Sequence, residues 1–252
     1  MTDQTTTPRW LNFRDLGGIQ TVNHRRLRPG RLMRSAAFDT LDATDAAALR
    51  DMGLRRVADL RSAPEQKAQP SPLVAAGFEM VITPPAADPS NLMAHLSAPG
   101  TTPAEMRQSM IDLYAAMPDA FATSYAEVMK GALEGDGALL VHCAIGKDRT
   151  GTAVALLLTA LGVADDAIIT DYLATNAAVP AIAATLHQRL AGTGLPPLSD
   201  QLIAPVLAAD PAYLAAFRQT IATRHGNEFA YMRDMLDFGP DRIEALRAAW
   251  LD

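Results

Sequence analysis

Short apolar runs alternate with longer stretches of helical spacing along this chain, and that alternation predicts an α/β fold. The runs at 31–34, 54–60, 78–83 and 138–142 read as strands. Between and after them the apolar positions recur at helical spacing. A helix starts at Thr44 and ends at Gly53, and Thr102-Pro103-Ala104-Glu105 is a capping box with proline at the first helical position. The helix it opens is expected to reach Met117 and to break before Pro118. A second, from Asp119 to about Leu133, carries Phe121, Tyr125, Val128 and Met129 on one face as core packing. Residues 150–161 are apolar nearly all round, so this helix is expected to be buried, with Gly162 as its stop. Helical spacing continues over 165–191, over 199–224 with Asp210-Pro211 as an internal start, and over 227–236 and 241–251. Glycine and proline break the pattern at 192–197, and 84–100 is a Pro-, Ala-, Asp- and Ser-rich loop of the length that tends to be functional.

This pattern suggests a flexible tail over 1–9 and one domain over 10–252, with the Ala-rich helices of 165–225 as a cover. With 252 residues, 49% of them apolar, the chain can bury a sizeable core. A net charge of −6 argues against a nucleic-acid partner. One cysteine excludes an internal disulfide framework and a multi-cysteine zinc site, and no His/Asp/Glu cluster at metal spacing is visible, so no cofactor is expected. The polar first residues lack a signal-peptide core, and no apolar run reaches the roughly 18 residues of a membrane span. A cytoplasmic location is therefore expected, with export lacking a signal left open. The basic run His24–Arg34 reads as a solvated hairpin in preference to a patch for anionic partners, and Arg14-Asp15 as a local ion pair holding the Gly17-Gly18 turn. His187 and His225 read as surface residues, and Asp171 and Tyr172 as packing.

The chemistry concentrates in 138–151, ALLVHCAIGKDRTG, where the lone cysteine ends a strand and Arg149 opens a helix. Five residues between Cys143 and Arg149 can curl until their backbone N–H groups face one point, and such a concave run binds anions. The following helix adds its N-terminal amides and dipole. A thiol in that field is activated as a thiolate nucleophile. Arg149 brings a planar fork suited to phosphate oxygens, Gly146 permits the tight turn, Gly151 a close approach, and the Thr150 hydroxyl is placed to bond the sulfur. Ala144, Ile145, Gly146, Lys147, Asp148, Arg149 and Thr150 are thus the expected phosphate-binding loop. Asp59 and Arg61 end a strand at the edge where parallel sheets bind ligands, and a strand-end ion pair beside a helix cap is the competing reading.

HCAIGKDRTG resembles the active-site loop of cysteine-dependent tyrosine phosphatases, and Lys147-Asp148 narrows the likeness to their atypical bacterial and fungal branch. NFRDLGG at 12–18, RLMRSAA at 31–37, VADLRSAPE at 57–65 and DYLATN at 171–176 resemble other blocks of that branch. The resemblance implies a phosphatase-like core, with a short, mainly parallel sheet flanked by helices and a helical lid-like insertion. It also implies hydrolysis of phosphotyrosine, and by extension phosphoserine, phosphothreonine or phosphoinositides, through a phosphocysteine on Cys143. By this resemblance Arg34-Ser35 is expected to face the site. Lys147, a second cation in the loop, suits a neighbouring phosphate of a phosphoinositide or inositol phosphate, and equally adds charge around a single phosphate, so a phosphoinositide or inositol-phosphate phosphatase is the alternative main activity. Asp148 is the first choice for general acid, because the resemblance places a carboxylate there and no Trp-Pro-Asp loop occurs; Asp59 is the second, and Asp88 reads as a turn residue. Rhodanese-like sulfur transfer and an inactive phosphate-binding module are the competing functions.

Overall fold

The computed structural model describes residues 10–82, 95, 96, 98, 100–191 and 199–252, without the side chains of 189–191. Strands β1 (Arg14–Asp15), β2 (Leu32–Ser35), β3 (Leu54–Asp59), β4 (Glu79–Met80) and β5 (Ala138–His142) form one sheet in the order β1-β2-β5-β3-β4. β2, β5, β3 and β4 run parallel, and β1 closes one edge antiparallel to β2. The mainly parallel α/β architecture is thus as expected, although the strand expected over 78–83 shortens to two residues. β5 is central and buried along its whole length, which explains its continuous apolar run. Its side chains still alternate: Leu139 and Val141 enter the larger core, Ala138 and Leu140 the smaller.

The register sets the position of the site. Ser35 and Asp59 both pair with His142, so β2, β5 and β3 end level with one another at their carboxyl ends. Ligands of parallel α/β sheets bind at that edge.

The helices in chain order are α1 (Ala43–Asp51), α2 (Ala63–Ala68), α3 (Pro72–Ala75), α4 (Pro103–Ala120), α5 (Ala122–Leu133), α6 (Asp148–Leu161), α7 (Asp165–Ala174), α8 (Val179–Ala191), α9 (Asp200–Leu207), α10 (Pro211–His225), α11 (Glu228–Met235) and α12 (Pro240–Trp250). A 3-10 turn, Thr175–Ala178, joins α7 to α8. In α6 every residue but Asp148 and Thr159 is buried, and Gly162 ends it in the left-handed conformation. Fourteen residues are marginal as an isolated helix, so burial of Leu156, Leu157, Leu158 and Leu161, on the order of 2 kcal/mol each, is what holds it. α10 belongs to the same core. Its Tyr213, Leu214, Phe217 and Ile221 are buried, and Tyr213 packs on Tyr114 of α4 with ring centroids 5.5 Å apart.

Several local expectations change. The Thr102–Glu105 capping box forms, but α4 runs through Pro118 and breaks only at Phe121. Proline removes one helical hydrogen bond, and the buried side chains of Met110, Tyr114 and Met117 hold the helix past it. Arg14 and Asp15 do not pair. Asp15 accepts from the amides of Gly17 and Gly30, and Arg14 turns to Asp171. The basic run is a clamp as well as a hairpin. Arg25 and Arg28 donate to the carbonyls of Leu251, Asp252 and Ala249, neutralising the carbonyl end of α12. His225 stacks edge-on against Tyr231. One stretch, Asp165–Gln188, is long and apolar enough to cross a membrane by length and composition. Here it comprises α7, the 3-10 turn and most of α8, with Asp171 bound to two arginines. Asp88 and the 192–197 break lie outside the described residues.

Candidate active site

The loop 143–147 connects β5 to α6 across the level ends of β2 and β3. Its carbonyls are taken from one side. Ala144 O accepts from Ala37 N at 3.2 Å, Ile145 O from Asn12 Nδ2 at 3.0 Å, and Gly146 O from Asn12 Nδ2 at 3.1 Å and Arg34 Nη2 at 2.8 Å. In a trans peptide the N–H points opposite to the C=O, and no peptide here is cis. The amides of Ile145, Gly146 and Lys147 therefore turn towards the concave side, where α6 adds the donors of its first turn. Gly146 sits at φ 74°, and a Cβ there would lie 2.2 Å from Ser35 O. Gly151 makes the expected close approach, since its Cβ would meet the Tyr172 ring at 2.9 Å. Cys143, only 2% exposed, lies at the start of this curl.

Arg149 is held from behind. Its Nη1 donates to Glu65 Oε2 at 2.6 Å and to Leu60 O at 3.1 Å, and its Nη2 to Glu65 Oε1 at 3.0 Å. Glu65 itself is fixed as the third residue of α2, where its carboxylate accepts from Ser62 N at 2.7 Å. Burial pushes the Glu65 carboxyl up, but the Arg149 guanidinium and the Ser62 amide outweigh it and hold its pKa at about 2. Glu65 was not among the expected site residues. In the sequence it stands only as the last residue of the VADLRSAPE stretch, and its Ser62–Glu65 capping box speaks of a helix start.

Asp59 and Arg61 turn to each other. Arg61 Nε reaches both Asp59 oxygens at 2.9 and 3.1 Å, Nη2 reaches Oδ2 at 2.7 Å, and Nη1 takes Gln69 O at 2.9 Å. Both side chains are buried, so Arg61 is engaged away from the loop and Asp59 has no accessible oxygen. His142, the last residue of β5, is buried with Nε2 3.7 Å from Asp59, and burial keeps its pKa below the ordinary imidazole range. The Thr150 hydroxyl has no hydrogen-bond partner among the described residues, so the expected bond to sulfur is not made.

Lys147 points towards the C-terminal end of α9. Its Nζ donates to the carbonyls of Val206 and Ala208, the latter at 3.1 Å, and lies over the Tyr213 ring. These carbonyls close the C-terminal end of α9, where a cation is favoured. Burial lowers the Lys147 pKa, and Asp148 partly offsets this. Asp148 Oδ1 receives Tyr114 OH at 2.9 Å and lies 3.2 Å from Lys147 Nζ, with the Asp148 side chain 20% exposed. Beside the loop, a cavity of about 360 Å³ is lined by Ala144, Ile145, Trp10, Phe38, Ile182 and Leu186 among others.

The model of the tyrosine phosphatase family matches residues 5–252. The chain belongs to that family. A protein of Cupriavidus necator that carries the provisional name tyrosine-protein phosphatase is 37% identical over 229 residues, covering 90% of this chain and 81% of that one. The triple specificity protein phosphatase PtpB of Mycobacterium tuberculosis is 34% identical over 254 residues, covering 88% of this chain and 90% of PtpB. A tyrosine-protein phosphatase of Nostoc commune is 28% identical over 152 residues, 56% of this chain and 46% of that one. The chain is accordingly a protein tyrosine phosphatase, a hydrolase acting on phosphorylated substrates.

In this phosphatase, Glu65 gives a pH signature. Its folded pKa of about 2 lies below the ordinary 4.5, so its stabilising effect is present above about pH 5 and lost as pH falls towards 2. The difference in Tm between wild type and Glu65→Gln is expected to be largest near neutral pH and to shrink steadily below pH 5. Thermal melts of both proteins from pH 7 to 3 check this, and a difference independent of pH would rule out the ion pair as its source.

Proposed function

We propose that this phosphatase hydrolyses phosphotyrosine in proteins in two steps on Cys143. In the first, the thiolate sulfur bonds to phosphorus as the bond from phosphorus to the tyrosyl oxygen breaks, and Asp148 gives that oxygen its proton. In the second, a water oxygen bonds to phosphorus as the sulfur–phosphorus bond breaks, and Asp148 takes the water's proton. The loop amides and Arg149 stabilise the charge on the equatorial oxygens in both steps. Asp148 is preferred to Asp59 as acid because it is partly exposed, whereas Asp59 is buried and chelated by Arg61. Among the described contacts, those of Tyr114 and Lys147 both fall on Oδ1, which favours Oδ2 as the oxygen that exchanges the proton.

The observation that carries the choice of substrate is the engagement of Lys147. The cation that would greet a second phosphate is fully buried and bonded to the carbonyl end of α9, and the neighbouring cavity joins the rings of Trp10 and Phe38 and aliphatic side chains to the carboxylates of Asp39 and Asp45, which repel a polyanion. Both features favour an aryl phosphate over a polyanionic inositide. The name of the Mycobacterium relative is the reason to test phosphoserine and phosphothreonine as well. A reaction that depends on a lone reduced thiol suits a reducing, cytoplasmic compartment.

The experiment is a panel of phosphotyrosine, phosphoserine and phosphothreonine peptides and short-chain phosphoinositides, with wild type and Asp148→Asn. Phosphotyrosine is expected to give the highest kcat/KM. Asp148→Asn is expected to lose about 10²- to 10³-fold on phosphoserine and less on an activated aryl phosphate, which needs little protonation. A phosphoinositide turned over faster than every peptide would overturn the substrate assignment. An unchanged rate on phosphoserine would move the acid to another residue.

A further inference from the structure

The segments behind the loop form one connected set of charges. Asn12 Oδ1 accepts from Arg14 Nη1 at 2.7 Å, which orients the amide so that Nδ2 faces the carbonyls of Ile145 and Gly146. Arg14 in turn binds Asp171, with Nε on Oδ1 at 2.7 Å and Nη2 on the backbone carbonyl at 2.7 Å. Asp171 Oδ2 receives Arg34 Nη1 at 2.5 Å, and the other arm of Arg34 ends on Gly146 O at 2.8 Å. Each oxygen of one carboxylate thus holds one arginine, and both arginines lead to the same loop carbonyl, Arg34 directly and Arg14 through Asn12.

Stability alone is a poor explanation for this arrangement. The Arg34 and Asp171 side chains are 0% and 5% exposed, and desolvation of such a triad offsets much of its Coulomb attraction. Apolar residues of similar volume commonly do as well. What apolar residues cannot do is donate hydrogen bonds to carbonyls that must stay turned away from the concave side.

We propose that Asn12, Arg14, Arg34 and Asp171 are positioning residues, which fix the carbonyls of Ile145 and Gly146 outward and thereby aim the amides of Gly146 and Lys147 at bound phosphate. This rests on the phosphate-loop reading above. It gives the 12–18, 31–37 and 171–176 segments a shared role, although they lie far apart in the chain.

The test uses Cys143, the chain's single cysteine, as its reporter. Alkylation by iodoacetamide is followed by mass spectrometry at rising inorganic phosphate, with no turnover required. Wild type should be protected. In Asn12→Ala and Arg34→Lys the phosphate concentration for half-protection should rise at least tenfold at a temperature where circular dichroism shows both folded, and kcat/KM should fall with it. A double variant, Asn12→Ala with Asp171→Asn, should lose less than the sum of the single losses, as members of one network do. Should Asp171→Asn or Arg34→Lys fail to fold, Asn12→Ala decides, since it removes no charge. Folded variants with a lowered Tm but wild-type half-protection would overturn the proposal, and so would a wild type that phosphate does not protect. A wild type protected by phosphate yet inactive on every peptide would defeat the substrate assignment alone.

Discussion

Cys143→Ser is expected to reduce aryl-phosphate hydrolysis by at least 10⁴-fold while moving Tm by no more than about 3 °C. The kinetic part follows from ionisation. A serine hydroxyl stays protonated at neutral pH unless a base is beside it, and the nearest imidazole, His142, is fully buried with its Nε2 towards Asp59. Loss of the nucleophile from a site whose residues act as a unit costs on the order of 10⁴- to 10⁶-fold. The structural part follows from the position of Cys143. It is 2% exposed at the end of a fully buried strand, so the exchange neither opens a cavity nor forces a larger atom into the core. A buried hydroxyl in place of the thiol costs about 1 kcal/mol, within the stated change in Tm. Hydrolysis of p-nitrophenyl phosphate and a thermal melt of the same sample provide both readings. Residual activity within tenfold of wild type would mean that water attacks phosphorus directly, and the phosphocysteine step would have to be abandoned.

The parts of this protein legible in the sequence are those set by neighbours in the chain. An apolar run, a glycine at the turn and an apolar helix closed by Gly162 lie within 25 residues of one another, and β5, the loop and α6 form as that pattern requires. The Asp59–Arg61 pair is just as local, which is why a strand-end ion pair was already one of its two readings. What sequence reasoning missed depends on chain crossings. Glu65 meets Arg149 from 84 residues away, and Arg34 meets Asp171 from 137. Neither partner has a local feature that names the other. Lys147 shows the same limit from another side. Its place in the loop was legible, but its direction depends on the carbonyl end of α9, about 60 residues later, which offers acceptors to a buried ammonium. At Pro118 the local rule was sound, and the packing of α4 overrode it.

Among the described glycines, Gly146→Ala is expected to be the most damaging, because a positive φ and the shortest backbone contact of the set fall on one methyl group. The first is conformational: φ is 74°, a region that costs an L-residue about 1–2 kcal/mol. The second is steric. The added Cβ would lie 2.2 Å from Ser35 O and 2.4 Å from Ser35 C, both backbone atoms of a buried strand that cannot rotate aside. Relief requires the loop to lift away from β2, and that breaks the bonds from Asn12 and Arg34 to Gly146 O. Overpacking of this kind costs about 1–3 kcal/mol more. At roughly 2–4 °C per kcal/mol for a domain of this size, Tm should fall by about 10 °C. Activity should fall further than stability, at least 10²-fold, because amides displaced by 1 Å no longer converge on phosphate. Gly18→Ala separates the two penalties. Gly18 has φ 88°, but a Cβ there meets nothing within 4 Å, so only the conformational cost applies. That variant should lose a few degrees in Tm and keep wild-type kcat/KM. If Gly146→Ala behaved like Gly18→Ala in both Tm and kcat/KM, the loop would not be seated on Ser35, and the orientation of its amides would need another explanation.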